Sequence, residues 1–446
     1  MAHLPLWSDR NTIPKSNLTR AKITLGLIIA VTSILPLFFV ELDDATFLVN
    51  LYKVLAKIGA FIGSMFMIWQ FFLGFRGVVS SIFPDLSWVV DLHKALGMYG
   101  VPIILLHPVF IGLYYLELRG TNIYDLQLDS GFSQFVLLGI VLLGLIAFIT
   151  ISSAFFRQKM GFYRWLYTHL SAYLVPPFLF LHSFALGQTV GGTGLNYYWW
   201  FLAAVMVVLY IYRVAHKLGA FSARYRVSQA REVAKETTEV VLEPGDGALE
   251  PRSGQFVYMR ESVKKNAHPY TVSSFDEHSR VLSITATQEG SQTTRLQNVA
   301  PGAMFLLDGP YGVFTRGALA SDLPLVMIAG GIGITPFRRV WRELERTRDR
   351  EAHLFFANEH FEEITFRDEV DALEHVHVVH VLNQEPEFEG EKGFVTVDIL
   401  RRHLPRELRD YQILICGPPV MITKLEAALK ETDIPENQIR HEMFAT

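Results

Sequence analysis

Six long apolar runs, each separated from the next by a short polar connection, fill the first half of this chain: Lys22–Val40, Val54–Leu73, Trp88–Tyr115, Ser133–Phe156, Trp165–Leu186 and Tyr197–Tyr212. Each approaches or exceeds the ~20 residues that a helix needs to span a bilayer. In lipid every backbone polar group must be satisfied within the segment, so runs of this length are expected to be transmembrane helices. After about Phe221 the pattern changes to charged residues, short alternating strands and amphipathic helices. Overall values of 50% hydrophobic and 19% charged residues therefore average two unlike halves. The expected domains are a six-helix membrane domain over 1–221, an antiparallel β-barrel over 222–322 and an α/β domain over 323–446.

The connections carry an orientation signal. Arg10, Lys15, Arg20 and Lys22 precede or open the first run, Arg76 lies in the second connection, Arg157, Lys159 and Arg164 in the fourth, and Arg213, Lys217, Arg224 and Arg226 follow the last run. The alternate connections carry Glu41, Asp43, Asp44, Glu117, Asp125 and Asp129, with Lys53 and Arg119 as exceptions. This bias predicts a multi-pass cell-membrane protein with both termini in the cytoplasm. The first ~20 residues are polar and lack an apolar core, so no cleavable signal peptide is expected. A net charge of −4 gives no basic footprint for nucleic acid. The single cysteine, Cys416, excludes an intramolecular disulfide framework and Cys-ligated clusters.

Four histidines lie inside the apolar runs, His93 and His107 in the third, His169 and His182 in the fifth. The separations of fourteen and thirteen residues are about four helical turns, or roughly 20 Å along a helix. One such histidine alone reads best as a packing residue bonded to a neighbouring carbonyl. Four of them, confined to two runs of the same direction and matched in depth, read as ligands, because ionisable side chains in hydrocarbon are costly and imidazole ligates haem iron. His93 would pair with His169 toward the cytoplasm and His107 with His182 toward the outside, each pair holding one haem.

This arrangement resembles the ferric reductase and NADPH oxidase family, whose membrane domain carries two b-type haems on paired histidines of its third and fifth helices. The likeness runs from the first span to the C-terminus. It implies a ferredoxin-reductase-like dehydrogenase behind the membrane domain, and the second half contains matching motifs.

His268-Pro269-Tyr270-Thr271-Val272-Ser273-Ser274 resembles the family's flavin motif. By that resemblance Thr271 meets the isoalloxazine of FAD and Ser274 the pyrophosphate region, while His268, Pro269 and Tyr270 line the site. Gly290-Ser291-Gln292-Thr293 is similar to the second phosphate-binding turn, with Thr293 as the contact, and Gly309-Pro310-Tyr311-Gly312 is expected as a tight turn closing the barrel. A buried-type strand, Leu325–Ala329, then leads through Gly330-Gly331-Ile332-Gly333-Ile334-Thr335-Pro336 into an amphipathic helix. Glycines there let the backbone approach a pyrophosphate, whose charge is favoured at a helix start. Gln412–Ile415 is a last strand ending in Cys416-Gly417-Pro418. By resemblance Cys416 lies beside the nicotinamide and Phe444 covers the flavin until the nicotinamide displaces it; a frayed C-terminal tail is the other reading of Phe444. Glu374-His375-Val376-His377-Val378-Val379-His380 reads as a strand, with valines inward, rather than a metal site.

The resemblance implies that NADH or NADPH reduces FAD, and that electrons pass through two haems to a small-molecule acceptor beyond the bilayer. Ferric iron is the expected acceptor, with oxygen reduced to superoxide as the alternative. The family's oxidases can carry a basic residue near the outer end of the first span, where this chain has Glu41, Asp43 and Asp44. A haem-binding electron donor to an external protein, or a redox sensor, is a third reading. The choice of nicotinamide stays open, because acidic Glu359, Glu362 and Glu363 follow the second strand of the nucleotide domain while Arg338, Arg339 and Arg367 are candidates to compensate them.

Overall fold

A computed structural model describes residues 15–83 and 85–443. The chain folds as two compact units, 1–214 and 215–446. Among the described residues of the whole chain, six helices are long and apolar enough to cross a membrane: Arg20–Phe39, Phe47–Leu73, Trp88–Arg119, Gly131–Met160, Phe162–Leu186 and Leu195–Lys217.

Local signals fix several of these helix ends. Thr46 caps the second span by accepting from the Val49 amide, and Asp85 caps the third by accepting from Trp88 while pairing with Lys22 at 2.8 Å. Gly120 ends the third span in the left-handed conformation, φ 63°. The second and third spans approach closely because Gly59 and Gly63, one turn apart, present no side chain. A Cβ at Gly59 would lie 2.4 Å from the His107 amide nitrogen, and one at Gly63 2.8 Å from Ile104 Cβ.

The fifth span departs from the single helix expected. Phe162–Leu170 and Val175–Leu186 are α-helical, but a 3₁₀ turn, Ser171–Leu174, separates them. Pro176 and Pro177 explain the break, since neither has an N–H to donate to the preceding turn. The Tyr173 carbonyl, which Pro177 leaves without its helical donor, accepts instead from the Tyr210 hydroxyl at 2.5 Å.

In the second unit, β1 (Ala223–Ala234), β2 (Thr237–Pro244), β3 (Phe256–Arg260), β4 (His268–Phe275), β5 (Leu282–Thr287) and β6 (Met304–Tyr311) close an antiparallel barrel in the order β1-β2-β5-β4-β3-β6. Tyr225, Leu242, Val257, Met259, Val272, Leu282, Ile284 and Leu307 are among the buried side chains that fill it. The turn expected at Gly309–Gly312 is instead largely strand. β6 continues through Tyr311, and the register of its pairing with β3 shifts between Phe256 and Tyr258. That irregularity lets the extended backbone continue where a tight turn would have ended it.

A six-stranded parallel sheet follows, built from β7 (Leu325–Gly330), β8 (Ala352–Asn358), β9 (Val376–Leu382), β10 (Glu391–Lys392), β11 (Gln412–Gly417) and β12 (Ile439–Met443). Its order is β10-β9-β8-β7-β11-β12, with every pair parallel. β7 and β11 are fully buried, as strands covered on both faces must be. The chain winds one way from β7 to β10 and the other way through β11 and β12. The strand order therefore reverses between β7 and β11, and the crevice outside their C-terminal ends is where open α/β sheets bind ligands.

Candidate functional site

The structure brings the four intramembrane histidines together in pairs. The His93 and His169 ring centroids are 6.0 Å apart, and those of His107 and His182 are 6.3 Å apart. Two metal–nitrogen bonds of ~2 Å plus the distance from each nitrogen to its ring centre, roughly 1 Å, give about this separation for two imidazoles on opposite sides of one iron. Each ring is also held through Nδ1. His93 Nδ1 lies 2.9 Å from the Gln70 carbonyl, His107 Nδ1 3.3 Å from that of Ala56, and His182 Nδ1 2.8 Å from that of Phe135. His169 differs, with its Nδ1 3.2 Å from the Ser153 hydroxyl. A proton donated from Nδ1 fixes the tautomer and leaves Nε2 as the lone-pair donor, the usual outer-shell arrangement of a metal-bound histidine. The donor set therefore fits bis-histidine haem.

Backbone packing sets these rings in place. Gln70 holds His93 twice, since its Nε2 also donates to the His93 carbonyl at 3.1 Å. Gly97 and Gly139 leave the necessary room: a Cβ at Gly97 would lie 2.3 Å from Gln70 Nε2, and one at Gly139 would lie 2.6 Å from His182 Cε1. Gln70, Ser153 and these glycines carry no spacing signal of their own. Only the folded bundle reveals them.

On the barrel, Tyr270 and Thr271 are buried, Ser274 and His268 are half-buried, and Pro269 is exposed. Burial lowers the proton affinity of His268. Thr271 stands opposite Phe256 in the β3–β4 pair, and its Oγ1 is buried with no hydrogen-bond partner. Leaving such a group unpaired costs about 1–3 kcal/mol, a cost removed by a ligand that supplies the missing partner. Thr271 therefore fits the flavin role assigned by motif. Ser274 is already engaged, accepting from Arg342 Nη1 at 3.1 Å. Thr293 Oγ1 accepts from the Glu289 and Gly290 amides at 2.9 and 3.0 Å and so shapes its own turn. Gly290 is open, with nothing within 4 Å of the Cβ position.

At the reversal point of the sheet, the glycine turn presses on the end of β11. A Cβ at Gly333 would lie 2.3 Å from the Cys416 carbonyl oxygen, and one at Gly417 3.1 Å from Gly330 Cα. Gly331 adopts φ 51°, and Gly331–Phe337 winds as a 3₁₀ turn before the helix Arg338–Thr347. Thr335 and Pro336 are buried in that turn, with the Thr335 hydroxyl donating to Ile332 at 3.0 Å. Pro418 begins the exit from β11, and its Cδ lies 2.9 Å from a Cβ placed at Gly330.

Cys416 is fully buried, and β12 sets Glu442 directly beside it in register. The Glu442 Oε2 is buried without a partner, and burial raises its carboxyl to about 7. Burial, with the Glu442 charge, likewise pushes the Cys416 thiol well above its ordinary range. Glu442 Oε1 lies 3.9 Å from a Cβ placed at Gly312, and that Cβ would lie 3.2 Å from the Phe256 ring. Thr271, Phe256, Gly312, Glu442 and Cys416 thus form a continuous neighbourhood from barrel to sheet. Sequence reading singled out Thr271 and Cys416 but gave Glu442 no role, because its proximity depends on β12 pairing with β11. Phe444 lies outside the described residues.

The three arginines weighed as counter-ions for a cofactor phosphate are committed elsewhere. Arg338 is buried between Glu239 at 2.5 Å and Glu369 at 2.9 Å, Arg339 donates to the Pro251 carbonyl, and Arg367 lies over the Phe361 ring and 3.4 Å from Asp371. Asn358, the last residue of β8, is buried with both amide atoms unpartnered. In the histidine-rich tract, β9 begins at Val376; His375 approaches the Arg350 carbonyl, His380 approaches Asp371 and His377 stacks on His353.

Two family descriptions match separate parts of the chain: the ferric reductase like transmembrane component over residues 60–180, and the oxidoreductase NAD-binding domain over 327–427. Among relatives, NADH-cytochrome b5 reductase 1 of Ajellomyces capsulatus is 34% identical over 195 residues, covering 39% of this chain and 62% of the relative. The Arabidopsis thaliana protein of the same name is 33% identical over 172 residues, covering 36% and 61%. The chain thus spans about three fifths of the length of these relatives. Among solved structures, the flavohem-like FAD/NAD-binding domain of nitric oxide dioxygenase from Vibrio cholerae shares 21% identity, 50% of this chain and 99% of that one, at a TM-score of 0.46. The chain joins a ferric-reductase-like transmembrane component to an oxidoreductase NAD-binding module, and so matches a ferric reductase/NADPH oxidase-like fusion in a multi-pass membrane protein.

Proposed function

We propose that this protein moves electrons from cytosolic NADH across the membrane to ferric iron at the outer face. The matched histidine pairs, each ring held through Nδ1, carry this reading. When bound, FAD converts the two-electron hydride of the nicotinamide into single electrons, which the two haems can accept one at a time. His93 and His169 would hold the haem nearer the cytoplasm, and His107 and His182 the outer one. The charge bias of the connections supports this orientation, with both termini cytoplasmic.

In the dehydrogenase, the Thr271 hydroxyl would donate to the flavin, with Tyr270, His268 and Pro269 lining the site. Ser274 with Arg342, and the turn of Gly290 and Thr293, would face its phosphates. The cradle of Gly330, Gly331, Gly333, Thr335 and Pro336 would admit the nicotinamide nucleotide against Cys416, Gly417 and Pro418, and Glu442 would bear on the same pocket. NADH is preferred over NADPH here because Glu359 and Glu363 directly follow β8 while Arg338, Arg339 and Arg367 are already engaged. A 2′-phosphate beside these carboxylates would meet repulsion, with the three arginines already paired to other groups.

One observation favours oxygen as a second acceptor reading. Asp43 is neutralised by Lys53 at 2.7 Å and accepts from the Tyr114 hydroxyl at 2.7 Å, so its carboxylate is not free to attract a metal cation. Glu41 and Asp44 remain exposed. The test uses purified full-length protein with FAD and haem. NADH should reduce a bis-histidine haem spectrum faster than NADPH does, and only with FAD present. Ferrous iron formed equally under argon and air supports the ferric assignment, whereas superoxide formation in air without ferric reduction under argon would replace it with oxygen. Failure of haem reduction would overturn the central claim.

A further inference from the structure

The fourth span leaves regular α-helix at one turn, the π-helical segment Ser152–Phe156. Such turns redirect side chains and recur at functional positions. Here the turn presents Ser153 to the fifth span, where its hydroxyl oxygen lies 3.2 Å from His169 Nδ1 and accepts from the Trp165 indole N–H at 3.1 Å. The Trp165 ring stacks on His169, with centroids 5.3 Å apart and planes 28° apart, and the Arg157 guanidinium lies 4.7 Å over the indole. The other three paired histidines meet peptide carbonyl oxygens. His169 therefore has a different outer partner, supplied by side chains.

That difference has a chemical consequence. A histidine that donates its Nδ1 proton to a good acceptor pushes electron density toward Nε2, stabilising the more oxidised state of a bound metal. A serine oxygen that already accepts from an indole N–H shares its lone pairs between two donors, which weakens it toward each. We propose that Ser153 and Trp165 are positioning residues that set the electron donation of His169 to the haem on its side of the membrane. Ser153 orients the ring and strengthens it as a ligand, while Trp165 limits that strengthening by competing for the same oxygen. This inference rests on the assignment of His169 as a haem ligand.

The two roles predict opposite signs. In full-length haem-loaded protein under argon, Ser153→Ala should raise the midpoint potential of one haem and leave the other unchanged. A tenfold shift in relative ferric and ferrous stability corresponds to about 59 mV for one electron. Trp165→Phe, which keeps an aromatic ring beside His169 but removes the N–H, should lower the same potential. Ser153→Thr, which keeps the hydroxyl, should restore the wild-type value. The low-spin ferric spectrum of that haem should move in the alanine variant and return in the threonine variant.

Equal shifts in both haems, shifts of the same sign in Ser153→Ala and Trp165→Phe, or no shift in either would overturn the tuning. A wild-type protein with normal bis-histidine spectra and unmoved variant potentials rejects this inference alone. Absence of those spectra in wild-type protein rejects the ligand assignment and the tuning with it.

Discussion

On the proposed function, the two halves of this protein solve the same problem, positioning a redox group, by different means. In the membrane unit the candidate ligands are two pairs on two spans, and three of the four are fixed by peptide carbonyls. In the dehydrogenase unit the candidate groups come from distant strands: Thr271 on β4, Cys416 on β11 and Glu442 on β12. A helix in lipid has few side-chain partners to offer, so backbone oxygen from a closely packed neighbour takes over. A barrel beside a parallel sheet gathers chemistry at strand ends, where burial leaves Thr271 Oγ1 and Glu442 Oε2 without partners. One half relies on rigid backbone contact, the other on vacant hydrogen-bonding capacity.

The largest expected break in this comparison is loss of a ligand. His107→Ala or His182→Ala should reduce the haem content from two per chain to one while NADH still reduces the flavin, as read by pyridine haemochrome analysis and flavin bleaching. If all four histidine variants kept both haems, the membrane side of the comparison would fail.

Close backbone approach comes next, and it can be perturbed in both halves. Gly59→Ala places a Cβ 2.4 Å from the His107 amide, and Gly333→Ala places one 2.3 Å from the Cys416 carbonyl. Overpacking of this kind costs about 1–3 kcal/mol. Thermal denaturation should fall in both. Gly59→Ala should preferentially weaken outer-haem retention, and Gly333→Ala should slow nicotinamide-dependent flavin reduction. Equal haem loss in both variants would contradict separate roles.

Glu442 supplies a pH test. Its folded carboxyl is raised from 4.5 to about 7, so the folded state holds this proton more tightly than the unfolded chain. Its stabilising contribution is fully present below about 4.5 and is lost as pH rises through about 7, a change of about 3 kcal/mol in total. Glu442→Gln should flatten stability against pH in that window, measured by denaturant unfolding. An unchanged slope would place the titration elsewhere.

Smaller effects should sharpen the flavin side. Thr271→Val keeps the shape but removes the buried hydroxyl, and loss of one neutral hydrogen bond of about 1 kcal/mol predicts roughly a fivefold slower hydride transfer or weaker FAD binding. Gly290→Ala should leave stability within about 0.5 kcal/mol because its Cβ position is open. A weaker FAD affinity in that variant would locate the phosphate-binding turn, and an unchanged affinity would remove Gly290 from the site.

Several elements were legible in the sequence because their signals are local. Apolar run length placed all six spans, although the second begins seven residues earlier, at Phe47, than its apolar run, and helical rise related His93 to His107. The fifth span was harder: Pro176 and Pro177 are plain in the sequence, but a Tyr210 hydroxyl from another span accommodates the break. Alternation also suggested valines in β9, yet it did not extend β6 through Gly309 and Pro310, where a register shift against β3 keeps the strand going. Arg338 and Arg367 looked available for phosphate until Glu239, Glu369 and Asp371 were brought to them by folding.

By itself, the sequence determined a membrane half and a second half made of a barrel and an α/β domain, together with four histidines at two depths and a glycine turn before a helix. Those properties follow from hydrophobicity, rise per residue and turn chemistry, which act over a few neighbouring positions. Tertiary structure decided which oxygen meets each histidine, that Ser153 rather than a carbonyl meets His169, and that Glu442 stands beside Cys416. These depend on helix packing and strand order, and contacts between residues far apart in the chain exist only once the whole core has fixed their positions.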